Sequence, residues 1–371
     1  MLKRLHLRHE VHFVAYESEN AEGSTRSSEY CTRAYPVRRP VPPAGSTRFF
    51  AQAAHNIFSP LPLAVGRYRS PAMRKQVAAL VARHSFDAIV CDFLSSAPNI
   101  PNIENAILFQ HNVESIIWRR HAEHASGPLR KAYFGLQARR MTRCERKYCR
   151  AAKHVVAVSE NDAAQMRDLF EIDNVASIPT GVDLDYFRAP GNPPQVADLV
   201  FVGSMAWLPN IDGIAYFARE ILPLIRRRRP TCSLVVAGRA PVPEVRALAQ
   251  NDPLIQVTGT VEDVRPFVWG SAVSIVPLRI GGGTRLKIYE SMAAGVPVVS
   301  TTVGAEGLAV EDGANIALAD TPESFANRCL DLLQDANARA RLSANALNLV
   351  TNRFSWENVT RVFERVLQEQ K

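Results

Sequence analysis

The sequence predicts an α/β protein of two doubly wound domains facing each other across a cleft, and three observations carry that prediction. Short apolar runs alternate with helical patterns almost throughout, which calls for parallel sheets covered by helices. The stretch Ala189-Pro190-Gly191-Asn192-Pro193-Pro194 separates two such series and reads as a linker. Three consecutive glycines then follow an apolar strand and open directly into a helix. Ligands of doubly wound sheets bind outside the carboxyl ends of the strands, so the space between the domains is the expected site.

A short helix over 2–8 precedes the first strand pattern, at 10–16. Further strands of the first half are predicted at 87–91, 106–110, 154–159 and 175–179. The second series falls at 198–203, 233–238, 255–259, 272–277, 297–301 and 315–318, with helices between. Amphipathic helices follow at 322–333, 336–351 and 356–370. Residues 1–188 are thus expected as one domain and 189–354 as a second, with the helix in 355–371 returning toward the first.

A chain of 371 residues is long enough for two ordinary cores. Its 47% hydrophobic and 22% charged residues belong to a globular protein, not a disordered one. No apolar run approaches the roughly 20 residues that span a bilayer. Met1-Leu2-Lys3-Arg4 leads into a mixed polar segment, so no secretory leader is expected. The six cysteines show neither CxxC pairs nor metal-ligand spacing, which suits free thiols in a reducing cytoplasm.

The net charge of +8 suits anionic partners. The excess is concentrated between Arg119 and Lys153, where Arg139, Arg143, Arg146 and Arg150 share one helical face. That face is either a solvated covering of a buried stripe or a peripheral contact with anionic lipid headgroups. Nucleic acid is not expected as a partner, because no aromatic side chains are interleaved for stacking and no recognition motif is present. Arg226-Arg227-Arg228-Arg229 ends a helix before Pro230, where cations complement the dipole, and reads as structural.

The chemistry concentrates in 281–297. Gly281, Gly282 and Gly283 allow successive backbone N–H groups to turn toward one anion. The helix start adds its unpaired N–H groups and positive dipole end. Arg285 and Lys287 place two cations in the first turn, where the dipole alone disfavours them; a diphosphate removes the conflict. Glu290, one turn on, can face the same region as Thr284 and Lys287 and accept hydrogen bonds from a ribose diol. The physical reading is a nucleotide-diphosphate pocket.

These residues resemble glycosyltransferase family 4, and the likeness covers nearly the whole chain. Its strongest part runs from Phe201 to Gly307: Phe-Val-Gly-Ser-Met (201–205), Gly-Thr-Val-Glu-Asp-Val (259–264), Pro277 to Gly295, and Thr302-Val303-Gly304-Ala305-Glu306-Gly307. In the first half, Ala157-Val158-Ser159-Glu160 and Ile178-Pro179-Thr180-Gly181-Val182-Asp183 look like the family's last strand turns. The resemblance implies the GT-B fold of two Rossmann-like domains and retaining, metal-independent transfer from a nucleotide-diphosphate sugar, with no further cofactor. Bacterial exopolysaccharide sugar transferases are the relatives it suggests.

Residue by residue, the resemblance implies that Gly203 and Gly281–Gly283 approach the donor, that Glu290 meets the ribose, and that His111 in Gln110-His111-Asn112 lies near the transferred sugar. His111 either contacts the sugar or caps the following helix; Glu306 either orients the sugar or caps a turn. Ser159 with Glu160 reads as a helix cap and Asp183 as a structural hinge residue.

Three departures stand out. The family's first glutamate, eight positions before Glu290, is replaced by Gly282. The usual arginine and lysine after the first strand of the second domain are absent; Ser204 follows Gly203 and Asp212 precedes Gly213, which leaves the diphosphate to Arg285 and Lys287. The family's opening strand and glycine loop are also missing, which implies a first domain short of one internal strand and a true start further upstream.

The expected activity is sugar transfer to a saccharide or lipid-linked acceptor in surface polysaccharide or glycolipid synthesis, in the cytoplasm or at the inner face of the membrane. An epimerase or hydrolase of the same fold, or a truncated non-catalytic binding protein, are the alternatives. A donor-only turnover assay separates them.

Overall fold

The structure, a computed structural model, describes residues 1–17, 26–38, 46–125, 127–280 and 286–369. The chain divides into two units, one formed by Met1–Pro179 with Val359–Lys371 and the other by Thr180–Asn358. The division falls after Pro179 and not in 189–194 because Val182 and Phe187 are buried in the second unit's core. Arg265 Nη1 and Trp269 Nε1 donate to the carbonyls of Tyr186 and Phe187 at 2.8 and 2.7 Å, fixing that approach.

The first unit carries β1 (His12–Glu17), β2 (Arg33–Arg38), β3 (Ile89–Asp92), β4 (Ala106–Gln110), β5 (His154–Ala157) and β6 (Val175–Ser177). β1 and β2 form a parallel pair, and β3 to β6 a separate parallel sheet in chain order. No ladder joins the two sheets among the described residues. Among the described residues β1 and β3 are therefore edges. β4, Ala-Ile-Leu-Phe-Gln, is buried at every position, as a continuous apolar run covered on both faces requires.

The second unit carries β7 (Ala197–Val202), β8 (Leu234–Ala237), β9 (Ile255–Gly259), β10 (Ser271–Val276), β11 (Val298–Ser300) and β12 (Ala317–Leu318). They form one parallel sheet in the order β12-β11-β10-β7-β8-β9. The chain builds outward from β7 through β8 to β9, then crosses back to β10 on the other side. The connections thus reverse between β7 and β10, the topological switch point of a doubly wound sheet.

Local signals set the helix starts. Ser159 Oγ accepts from Asp162 N at 3.0 Å and Asp183 Oδ1 from Tyr186 N at 3.0 Å, so both are caps. The arginine run is likewise structural: Arg226 donates to Cys232 O and pairs with Asp252, and Arg229 reaches Asp198 at 2.8 Å. All six cysteines are buried free thiols.

Candidate functional site

In the second unit, the carboxyl ends of β7 and β10 bring together Gly203, Asn210 and Lys287. The Leu286–Ala293 helix follows β10 and is held by its apolar face, with Ile288, Tyr289 and Met292 buried in the core. Ser291 Oγ donates to Ser274 Oγ at 2.9 Å, tying that helix to β10. Tyr289 stacks on Phe354, and its hydroxyl accepts from Ala309 N at 3.2 Å. This anchoring leaves Lys287 and Glu290 on the remaining face.

The ammonium of Lys287 donates to Asn210 Oδ1 at 2.8 Å and lies 4.5 Å from the centroid of Phe201. Asn210 is buried, and its Nδ2 donates to Ser204 O at 2.9 Å. One amide thus links the backbone just past β7 to the cation on the following helix. Gly203 lies beneath both groups: a Cβ there would come within 2.6 Å of Asn210 Nδ2 and 2.9 Å of Lys287 Nζ. Gly238 completes the close packing, since its own Cβ would stand 1.8 Å from Gly203 O.

Glu290 follows Lys287 by one turn. Burial raises its carboxyl above the ordinary value, and the Lys287 charge pulls it back down. Glu306 is exposed, in a loop tied to the exit of β10: Thr301 Oγ1 donates to Leu278 O and accepts from Gly304 N at 2.9 Å. Gly281, Gly282, Gly283, Thr284 and Arg285 lie outside the described residues, so the predicted anion turn has only its helical continuation on view. Among the described residues no group of histidine, cysteine and acidic side chains has metal-binding proximity.

A second cation escaped the sequence reading. Arg279, just past β10, makes a bidentate pair with Asp212 (2.6 and 3.1 Å), and its guanidinium lies 4.4 Å from the centroid of Tyr216. Asp212 stood out in the sequence only as a residue near an absent lysine. Asn210 and Asp212, two residues apart on the Leu208–Tyr216 helix, each hold a cation from beyond β10. Gly213 lets that helix lie against the exit of β10, because a Cβ there would be 3.0 Å from Pro277 O.

In the first unit, His111 stands one residue past β4. Its Nε2 lies 2.6 Å from Asp92 Oδ1 at the end of β3, Phe93 stacks on its ring at 4.0 Å, and Phe109 is 5.0 Å away. The histidine therefore does not cap the following helix. That task falls to Glu145, fully buried on the Pro128–Ala151 helix, whose two oxygens accept from Glu114 N and Ser115 N at 2.7 and 2.9 Å. Burial pushes its carboxyl up to about 7, against the lowering effect of those donors.

The four arginines of that helix divide. Arg146 and Arg150 donate to the carbonyls of Leu169 and Phe170 at 2.9 and 2.7 Å, and Arg150 also pairs with Glu171. They close the carboxyl end of the Glu160–Phe170 helix while staying exposed on the face they share with Arg139 and Arg143. Arg139 and Arg143 are exposed and bond to no described residue. No described helix is long and apolar enough to cross a membrane.

Residues 1–186 match the family model described as Glycosyltransferase Family 4, and 197–335 match the model described as Glycosyl transferases group 1. The chain belongs to glycosyltransferase family 4. Among its relatives is a D-inositol 3-phosphate glycosyltransferase of Acidothermus cellulolyticus, 30% identical over 56% of this chain and 51% of the relative. A lipopolysaccharide core biosynthesis mannosyltransferase, LpsB of Rhizobium meliloti, is 26% identical over 65% and 72%. An uncharacterized protein in the cps region of Klebsiella pneumoniae is 21% identical over 46% and 45%. The chain spans about half the length of the first curated relatives it matches.

Among solved structures, sucrose-phosphate synthase of Thermosynechococcus elongatus superposes with a TM-score of 0.72 at 16% identity, covering 99% of this chain and 90% of that one. Anabaena HepE, in complex with UDP and glucose, gives 0.66 at 14% identity over 99% and 93%. Both place this family 4 chain in the GT-B fold, built from two Rossmann-like units.

Proposed function

We propose that this chain is a retaining glycosyltransferase. It moves a sugar from a nucleotide-diphosphate sugar to a saccharide or lipid-linked acceptor in surface polysaccharide or glycolipid synthesis. Family membership supports transfer chemistry, and relatives named for lipopolysaccharide core and O-antigen chain mannosyl transfer support the setting in surface polysaccharide or glycolipid synthesis. The observation that carries the proposal is the Gly203, Asn210 and Lys287 constellation at the switch point of the second sheet.

Breaking the bond between sugar C1 and the diphosphate builds negative charge on the leaving oxygen. A cation held in advance on a fixed partner stabilises that charge without reorganising during the reaction. Lys287 is such a cation, and Arg285 with the backbone of Gly281–Gly283 and Thr284 supplies further donors. Glu290 accepts from the ribose hydroxyls, Glu306 meets the donor sugar, and His111 lies near the transferred sugar. Exposed Arg139 and Arg143 support a peripheral contact with anionic lipid at the cytoplasmic face, where a lipid-linked acceptor is presented. The donor enters as substrate, and the reading calls for neither metal nor cofactor.

The test is a thermal-shift screen of UDP, GDP and ADP with their sugar forms, on the wild type and Lys287→Ala. One nucleotide series should stabilise the wild type and lose that effect in the variant. Turnover with donor alone must be slow compared with turnover when acceptor is added. Equal rates in the two conditions would make the protein a hydrolase.

A further inference from the structure

Glu145 is a fully buried carboxyl that no step of the transfer chemistry uses. We propose that it is a positioning residue for sugar transfer, which rests on the reading of this chain as a transferase with His111 near the transferred sugar. From the Pro128–Ala151 helix, Glu145 sets the turn His111–Ser115 and, through that turn, the place of the His111 ring.

A simpler start for the Glu114–His124 helix was open to the sequence and is not used. Val113 occupies the N-cap position, and no side chain caps the helix from there. A serine, threonine or aspartate at 113 would satisfy the first amides locally. Both oxygens of Glu145 do so instead, from 31 and 30 positions further along the chain. A local cap travels with its own helix. A cap borne by a second element fixes where the helix begins relative to that element.

The bearing helix is itself held on both sides of Glu145. Before it, Gln137 Oε1 accepts from Leu63 N and Arg140 donates to Asn56 O, each at 2.8 Å. After it, Arg146 and Arg150 donate to Leu169 O and Phe170 O. The titratable groups facing Glu145 are the Glu114 carboxyl and the Cys144 and Cys149 thiols, none of them a cation. Its hold is therefore on the backbone, where two successive amides fix its direction as well as its distance. At the other end of the turn, His111 is held by Asp92 at 2.6 Å and by the Phe93 ring. Moving one end of such a clamp by about 1 Å is enough to cost about 10²-fold in rate.

The experiment compares the full chain with Glu145→Gln and with Glu145→Gln plus Val113→Thr. The glutamine keeps one acceptor and turns an NH2 group against the other backbone donor. The threonine supplies a local cap, so the double variant should regain the wild-type melting temperature. With 15N-labelled histidine, the ring signals of His111, assigned from His111→Gln, should move in both variants. Transfer from UDP-glucose, GDP-mannose and ADP-glucose is followed with octyl α-D-mannopyranoside and octyl β-D-glucopyranoside as acceptors. For the donor that is used, kcat should fall tenfold or more in both variants while its KM stays within threefold. Unmoved His111 signals in Glu145→Gln, or kcat that returns with the melting temperature in the double variant, would make Glu145 a cap alone and overturn the proposal. Moved signals with unchanged kcat would overturn it too and leave the transferase reading standing. Wild type that transfers from none of the three donors removes both.

Discussion

If Asn210 works by holding Lys287, their substitutions must be strongly non-additive. Lys287→Met removes the ammonium but keeps a stem over Phe201. Asn210→Ala removes both amide bonds, to Lys287 Nζ at 2.8 Å and Ser204 O at 2.9 Å. A hydrogen bond to a charged group contributes about 1.5–3 kcal/mol, and a buried carbonyl left unsatisfied costs about 1–3 kcal/mol. The single Asn210→Ala change should therefore cost about 3–4 kcal/mol of stability. In the Lys287→Met background the charged bond is already gone, so the same change should cost only about 1–2 kcal/mol. The coupling of about 2 kcal/mol is read from urea unfolding of the four proteins. Donor kcat should fall about 10²–10³-fold in Lys287→Met, the scale set by removing one preorganised donor at a developing anion. The Asn210 change should add little to that loss. Additive stabilities, or a second full loss of kcat in the double variant, would refute the reasoning.

Other outcomes follow from the same geometry. Gly203→Ala should destabilise by about 1–3 kcal/mol through overpacking against Asn210 and Lys287; adding Asn210→Ala should recover part of the lost melting temperature, because the amide is the nearer contact at 2.6 Å. Glu145 keeps its proton in the fold up to about pH 7, whereas the unfolded chain loses it near 4.5, so the native state binds more protons across that window. Stability through this group must then fall as pH rises from 4.5 to 7, by about 3 kcal/mol, and Glu145→Gln should flatten that slope in unfolding measured from pH 4.5 to 8. Arg150→Ala should lower the melting temperature by a few degrees, since about 1 kcal/mol of helix closure is lost. Arg139→Gln with Arg143→Gln should leave the melting temperature unchanged and weaken sedimentation with vesicles containing anionic lipid, an effect that high salt mimics in the wild type.

The sheet strands were legible because parallel strands covered on both faces are continuous apolar runs; the predicted 106–110 and 255–259 coincide with β4 and β9. β2, Arg-Ala-Tyr-Pro-Val-Arg, was not, because Pro36 and two flanking arginines hide a short strand in what looks like a turn. The glycine run marked the right helix, and Lys287 and Gly203 do converge. Their partner Asn210 was invisible: it lies 77 positions before Lys287, and nothing local distinguishes a buried asparagine from a surface one. The partner of Asp212 was invisible for the same reason, its arginine being 67 positions away. Helical spacing put Arg146 and Arg150 on the solvent face where they lie, but spacing within one helix is silent about the neighbouring helix end to which they donate.

The segment from Val359 onward belongs to the unit that Met1 begins, with Phe363 buried against Phe109 and Glu364 bonded to Arg8 and His9. On the ribosome, that segment emerges only after the whole of Thr180–Asn358 has been translated, a delay of about 10–40 s at common elongation rates. The earlier-made portion must wait, with Phe109 and its neighbours unsealed, while the later-made portion has everything it requires to close. Folding order therefore runs against synthesis order, and a stalled or clipped nascent chain would carry a finished second unit and an open first unit.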